Sequence, residues 1–424
     1  MKRVLLLATT TGYQIRSFGD AAEKLGIKLV FASDRCDQLD DPWWDQAIPV
    51  RFHDLASSVD AVLASHSEAP IDGVIAVGDR PVTLAARLAR ALGLPGNSPD
   101  AAAASRNKLT SRTIFKAEGL LTPSTFEAVP IESDPSIIAR ERDYPLVIKP
   151  LALSASRGVM RVDDPVDFVP AFTRLRNVLH SIDVRSERDK AHDFVMIESF
   201  VPGREYAIEG VLTRGSLQVF AIFDKPDPLD GPFFEETIYV TPSRAPQRVQ
   251  QAMTREIARG ARALGLTHGP VHAECRVDGD AVFVLEVAPR PIGGLCSRAV
   301  RLEGADGVVS LEEVLLRHTI GEDVSRYRSA RASSGVMMIP IPAPGVFRGV
   351  SGIEEGRATP GIDDIRITAK VEETLVPLPE GRSYLGFIFA SGTDAAAVER
   401  ALREAHARLS FSIDRALTVT QGIT

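Results

Sequence analysis

The chain has 424 residues, 44% apolar and 25% charged, an ordinary globular composition that excludes a mainly disordered chain or a small disulfide scaffold. At roughly 150 residues per domain, about three domains are expected. Lys plus Arg number 49 against 56 Asp plus Glu, a net charge of −7, which argues against a broad basic face for nucleic acid or an anionic membrane. Val4–Ala8 is apolar but too short for a secretory core or a membrane span, so it reads as a buried first strand. Phe18, Ala21, Ala22 and Leu25 follow at helical spacing, with Gly26 as a stop. Strands are expected at Leu29–Ala32 and Gly73–Gly78, then a helix through Leu84, Leu88 and Leu92. Continuous apolar strands between amphipathic helices imply a parallel sheet covered on both faces. Thr9–Gly12 after the first strand lacks the spaced glycines of a dinucleotide fingerprint.

Past the turn formers Leu94–Pro99, one helix is expected from about Pro99 to Glu118. The pattern then becomes β-rich, with strands at Leu146–Lys149, Val159–Val162, Phe194–Ser199, Tyr206–Leu212, Leu217–Phe223, Val271–Val277 and Ala281–Val287. A periodic helix runs through Val249, Met253, Ile257, Ala261 and Leu264. Ser186–Lys190 reads as a solvated loop, and a boundary is expected within the polar stretch Gly321–Ser334. The remainder is mixed α/β, with strands near Gly335–Ile341 and Tyr384–Ser391 and a last helix carrying Val398, Leu402, Ala405 and Leu409. Cys36, Cys275 and Cys296 are too few and scattered for a disulfide framework or zinc site, which fits a reducing, cytoplasmic setting.

The segment His272–Arg298 carries the chemistry. In Val271–Val277 the residues alternate, with His272, Glu274 and Arg276 on the polar face. The returning strand is apolar until Glu286, and a carboxylate in an apolar strand needs a partner. If Val277 pairs with Ala281 across Asp278–Asp280, Glu286 faces His272 and lies diagonal to Glu274 on the same side. A shorter loop puts the glutamates on opposite faces, so a metal between them requires the longer loop or a bulge. Two hard carboxylates suit Mg²⁺, which takes its other ligands from water and nucleotide phosphates. Arg290, stiffened by Pro289 and Pro291, lies four residues past Glu286 and suits a transferring phosphoryl group. Taken singly, an ordinary hairpin with a surface salt bridge explains this segment equally well. Lys149 ends an apolar strand, and the small-residue loop Ser154–Gly158 follows it. Glu198 and Glu205 flank the turn after another strand. Lys225 and Glu236 bracket a Pro- and Gly-rich loop, which reads either as a surface connection or as a substrate wall.

Lys108, Ile148-Lys149-Pro150, Ser156–Val159, Glu198–Glu205, His272-Ala273-Glu274 and Glu286–Arg290 occur in the order and approximate spacing of the ATP-grasp ligases. Residues 288–298 resemble most the L-amino-acid ligase branch, which includes dipeptide-forming and carnosine-synthase-like enzymes. The resemblance implies an α/β and α+β multidomain chain. Its units are a Rossmann-like domain over residues 1–98, an ATP-grasp domain over 99–325 with a lid within about 145–200, and a C-terminal α+β domain over 326–424. It implies ATP and Mg²⁺ as cofactors, with Mn²⁺ as a substitute. Lys108 and Lys149 would meet the phosphates, with Ser154, Ser156 and Gly158 in the lid. Glu198, Phe200 and Val201 would border the adenine, and Glu205 would hold the ribose. Glu274 and Glu286 would hold the metal. Arg290, Lys149 and His272 would be catalytic, and Lys225, Glu236 and Arg298 would meet substrate. The expected partners are a small-molecule carboxylate and amine, with no nucleic acid or membrane, and a homodimer is compatible. The competing activities are ATP-grasp ligation of the purine-pathway or biotin-carboxylase type, or non-catalytic nucleotide binding. Ala288, where many members carry Asn, favours the last of these.

Overall fold

Arg3–Ala8 (β1) is apolar along its length and Val4–Leu7 are fully buried. The computed structural model describes residues 1–9, 14–34, 47–140, 142–305, 307–330 and 332–415; Cys36 and the loop positions 10–12 lie outside them. After β1 come a helix at Ile15–Leu25 (α1), strands at Lys28–Ser33 (β2) and Ile48–Pro49 (β3), a helix at Leu55–Glu68 (α2), a strand at Gly73–Val77 (β4) and a helix at Val82–Ala91 (α3). The sheet is parallel in the order β3-β2-β1-β4, as the apolar strands between helices predict. Gly26 ends α1 in the left-handed conformation, with φ 62°.

The single helix expected after Pro99 is two, Pro99–Arg106 (α4) and Lys108–Ala117 (α5). Asn107 between them is extended, and its side chain accepts a hydrogen bond from the Thr110 N–H. Its preference for capping over helix interior causes the break, and this places Lys108 at the first turn of α5.

A separate four-stranded antiparallel sheet, taking in much of the stretch where a lid is expected, consists of Phe126–Pro130 (β5), Leu146–Pro150 (β6), Met160–Val162 (β7) and Phe194–Ser199 (β8), in the order β5-β8-β6-β7. The helix Pro165–His180 buries Phe168, Phe172 and Leu175 against it. Next come Arg204–Thr213 (β9), Ser216–Asp224 (β10), Ile238–Thr241 (β11), Gly269–Asp278 (β12) and Ala281–Ala288 (β13). The helix Gln247–Ala263 covers them with Val249, Met253, Ile257 and Ala261, at the spacing read from the sequence.

These strands do not end with the central domain. One eight-stranded sheet runs β13-β12-β9-β10-β11 and continues into Ser333–Ile339, Gly386–Gly392 and Ile362–Ile367. Tyr239 pairs with Val336 across the expected boundary.

Candidate active site

A cavity of about 370 Å³ opens where the parallel sheet, the four-stranded sheet and the long sheet meet. Thr9 and Val77–Asp79, at the carboxyl ends of β1 and β4, form one side. This is where open parallel sheets place ligands. Lys108, Lys149, Ser154, Ser156, Glu198, Phe200, Val201, Glu205, Glu236, His272, Glu274, Glu286 and Arg290 all line it.

The register of β12 and β13 decides the geometry of the glutamates. The connection is the two residues Gly279-Asp280, with Asp278 opposite Ala281, so of the two expected routes, a three-residue loop or a bulge, the chain does not take the loop. Cys275 faces Val284, and the next pair is Glu274 with Glu286. Leu285 is therefore an extra residue, a β-bulge. Without it Glu286 would fall opposite Ala273, on the apolar face. With it Glu274 and Glu286 are direct cross-strand partners on one face, and His272 faces Ala288 rather than Glu286. Two opposed carboxylates in a cavity fit Mg²⁺ as hard oxygen ligands, with room for phosphate oxygens.

Positive charge surrounds this pair. Lys149, buried, ion-pairs through Nζ with Glu198, which also accepts from Arg112 Nε at 3.1 Å. Burial, more than the Arg112 charge nearby, pushes Lys149 down to about 8 despite Glu198. Lys108 Nζ donates to the Leu153 carbonyl at 2.8 Å and lies 3.8 Å from Glu286. Arg290 makes a two-pronged pair with Asp79, Nε to Oδ1 at 2.7 Å and Nη2 to Oδ2 at 3.2 Å, and its Nη2 lies 3.8 Å from Glu286. Burial opposes charge on Asp79, but Arg290 holds its carboxyl below the usual range.

Deeper in the wall, the Lys225 ammonium is caged by Glu205 at 2.7 Å, Glu274 at 3.0 Å and Glu236. Burial, together with the two neighbouring carboxylates and against the pull of Lys225, pushes Glu236 up to about 7. The carboxylate oxygens of Glu205, Glu236 and Glu274 lie within 4.8 Å of one another, gathered around this ammonium. The His272 ring meets fully buried Glu209 at 3.1 Å through Nδ1 and Glu274 at 3.8 Å through Nε2. Burial disfavours its charge, yet these two carboxylates raise it to about 9. The Phe200 ring meets the guanidinium groups of Arg161 at 4.3 Å and Arg276 at 4.9 Å.

The small-residue loop Ser154–Gly158 is tied down from the C-terminal side. The Gly158 N–H donates to the Pro379 carbonyl at 2.8 Å, and Arg157 Nε donates to the Glu380 carbonyl at 2.8 Å. Arg174 grips the Glu380 carboxylate at 2.8 and 2.9 Å. Gly158 thus braces the loop from outside the cavity wall. Arg298 also stands apart from the wall: it pairs with Asp364 at 3.1 Å and stacks on Phe389 at 4.0 Å. Lys225 acts on the cavity through the three carboxylates that it holds.

Four residues escaped the sequence reading. Glu209 interrupts an apolar strand just as Glu286 does, a signal that could have exposed it. Asp79 follows a parallel strand directly at its carboxyl end. Arg276 was noticed only for its face. Arg112, fully buried, carried no local signal, because its partners lie 86 and 173 positions away.

Family models describe three parts of the chain: an ATP-grasp N-terminal domain matches residues 19–96, an ATP-grasp domain 142–299, and an L-amino acid ligase C-terminal domain 337–414. The L-amino acid ligase from Bacillus licheniformis superposes with a TM-score of 0.79 at 25% identity, covering 98% of this chain and 99% of that one. The chain carries an ATP-grasp domain. Among its relatives, an alanine–anticapsin ligase of Bacillus subtilis is 27% identical over 205 residues, 45% of this chain and 42% of that enzyme. The ATP-grasp fold is shared more distantly with a carboxyaminoimidazole ribonucleotide synthetase from Thermotoga maritima, at TM-score 0.68 and 16% identity over 98% of this chain and 100% of that one. No helix among the described residues is long and apolar enough to cross a membrane.

Proposed function

We propose that this ATP-grasp ligase joins the carboxylate of one amino-acid-like substrate to the amine of another. A carboxylate oxygen attacks the γ-phosphorus of ATP, the bond to the ADP oxygen breaks, and an acyl phosphate forms. The amine nitrogen then attacks the acyl carbon, inorganic phosphate leaves, the nitrogen loses a proton, and an amide remains. Lys149 and Lys108 offset phosphate charge as it shifts, and Arg290, held rigid, faces the transferring group. Glu274 and Glu286 would hold Mg²⁺, which when bound screens the triphosphate. Ser154 and Ser156 on the lid close over the nucleotide, and the tethered loop keeps water from the acyl phosphate. Glu205 and Glu198 offer acceptors to ribose and adenine, and Glu236 and Lys225 give the substrate end charged groups.

The observation that carries this reading is the bulge that sets Glu286 opposite Glu274 beside Lys149 and Arg290. Likeness to the L-amino acid ligase over nearly the whole chain favours amino acids over the small acids of purine or biotin-dependent ligation. The test is ADP release across pairs of amino acids, with phosphoribosylamine as the contrasting amine. Amino-acid-dependent ADP release that Glu286→Ala abolishes is expected. Tight ATP binding without ADP across the whole panel would refute ligation.

A further inference from the structure

Leu285 is the residue that makes the bulge, and a bulge leaves backbone groups without ladder partners. In a regular strand successive carbonyls point to opposite edges. Here the Val284 and Leu285 carbonyls turn to one donor, Arg112 Nη1, at 3.3 and 2.5 Å. β13 is the outer strand of its sheet, so the donor must come from elsewhere. It comes from α5, whose Asn107 cap fixes where that helix starts. The same guanidinium reaches Glu198 at 3.1 Å through Nε, and Glu198 ion-pairs with Lys149. Arg112 is fully buried, and its Nη2 has no hydrogen-bond partner among the described residues.

We infer that Arg112 is a positioning residue: it clamps the Val284-Leu285 bulge, so that Glu286 stands opposite Glu274, and ties that register to Glu198 and Lys149. This rests on the metal role proposed above for the two glutamates. The clamp acts through the backbone, which a planar fork suits and a single ammonium does not. If the bulge relaxes, Glu286 turns toward the apolar face and the metal loses one carboxylate. Residues that orient ligands typically cost 10- to 100-fold in metal affinity when replaced.

The test uses the full chain with Arg112→Met and Arg112→Lys, the second retaining charge should the first fail to fold. Two quantities are read: backbone amide exchange across residues 281–290, and Mn²⁺ affinity in the presence of ADP, by electron paramagnetic resonance. Faster exchange confined to that segment is expected, with Mn²⁺ affinity weaker by roughly 10- to 100-fold in Arg112→Met and partly restored in Arg112→Lys. Unchanged exchange at 284–287 overturns the clamp, whatever the metal does. Faster exchange with unaltered Mn²⁺ affinity overturns its link to the glutamates. Wild-type protein that takes up no Mn²⁺ with ADP, while exchange does respond, keeps the clamp and sinks the metal role instead.

Discussion

Replacing Asp79 with alanine removes both prongs from Arg290 and leaves a guanidinium without its anion. The Arg290 side chain is 9% exposed and that of Asp79 18%, so water replaces the lost partner poorly. Breaking a buried pair from one side costs about 3–5 kcal/mol. Arg290 keeps the Pro291 carbonyl at 3.1 Å and Glu286 at 3.8 Å, and the pair borders a cavity. The lower end applies, about 3 kcal/mol. Asp79 belongs to the N-terminal sheet and Arg290 to the loop after β13, so the loss falls on the docking of these two parts. At roughly 2–4 °C per kcal/mol, the transition involving them should drop by about 6–12 °C. The Asp79 carboxyl is held below its ordinary value, so the pair's contribution is present above that value and lost as acid reaches the folded one. Scanning calorimetry should therefore show a wild-type-to-variant gap that is constant from about pH 5 to 8 and closes only below about pH 4. A gap below about 1 °C, or one that vanishes by about pH 6, would refute the pairing as drawn.

The buried Lys149, lowered to about 8, should lose its charge in mild alkali, so KM for ATP should climb as pH rises through about 8, and Lys149→Arg should remove that rise. A flat KM from pH 7 to 9 in the wild type would contradict this. Burial raises the thiols of Cys275 and Cys296, so iodoacetamide at pH 8 should leave both unlabelled in the native protein and label them in urea, as read by peptide mass. Glu380→Ala removes a half-exposed pair with Arg174, worth less than about 1 kcal/mol of stability. It should nonetheless speed release of a fluorescent ADP analogue in stopped flow by loosening the lid loop, and an unchanged release rate would count against the tether.

The sequence announced most of the strands that build the cavity, because buried strands are apolar and their interruptions stand out; the short strand Ile238–Thr241, which brings in Tyr239, was not among them. Glu286 betrayed itself as an acid among valines, and side-chain alternation together with a shared metal called for either a longer loop or a bulge. The position of the bulge did not follow, because Leu285 is extra only by virtue of Arg112, a partner from another helix. The turn length stayed open for a related reason: Asp278-Gly279-Asp280 suits two registers, and the structure takes the shorter connection. Asn107 was visible as a residue before Lys108 but not as a helix break, since its neighbours all favour helix. Arg298 was expected near substrate from the family resemblance alone; in the structure it pairs with Asp364 and lies over Phe389, apart from the cavity lining. For the bulge and for Arg298, partners distant in the chain decided the outcome; for Asn107 a local cap did.

The continuity of the long sheet past β11 has a practical reach. A chain cut near residue 325 would strip Ser333–Ile339 from its neighbour, baring the N–H and C=O row of Ile238–Thr241. Unsealed edges of that kind recruit other molecules. Tyr384 and Met338 would leave the cavity with the severed piece. The last ninety residues are thus part of the wall around the reacting groups, and fragments that omit them should clump rather than bind nucleotide.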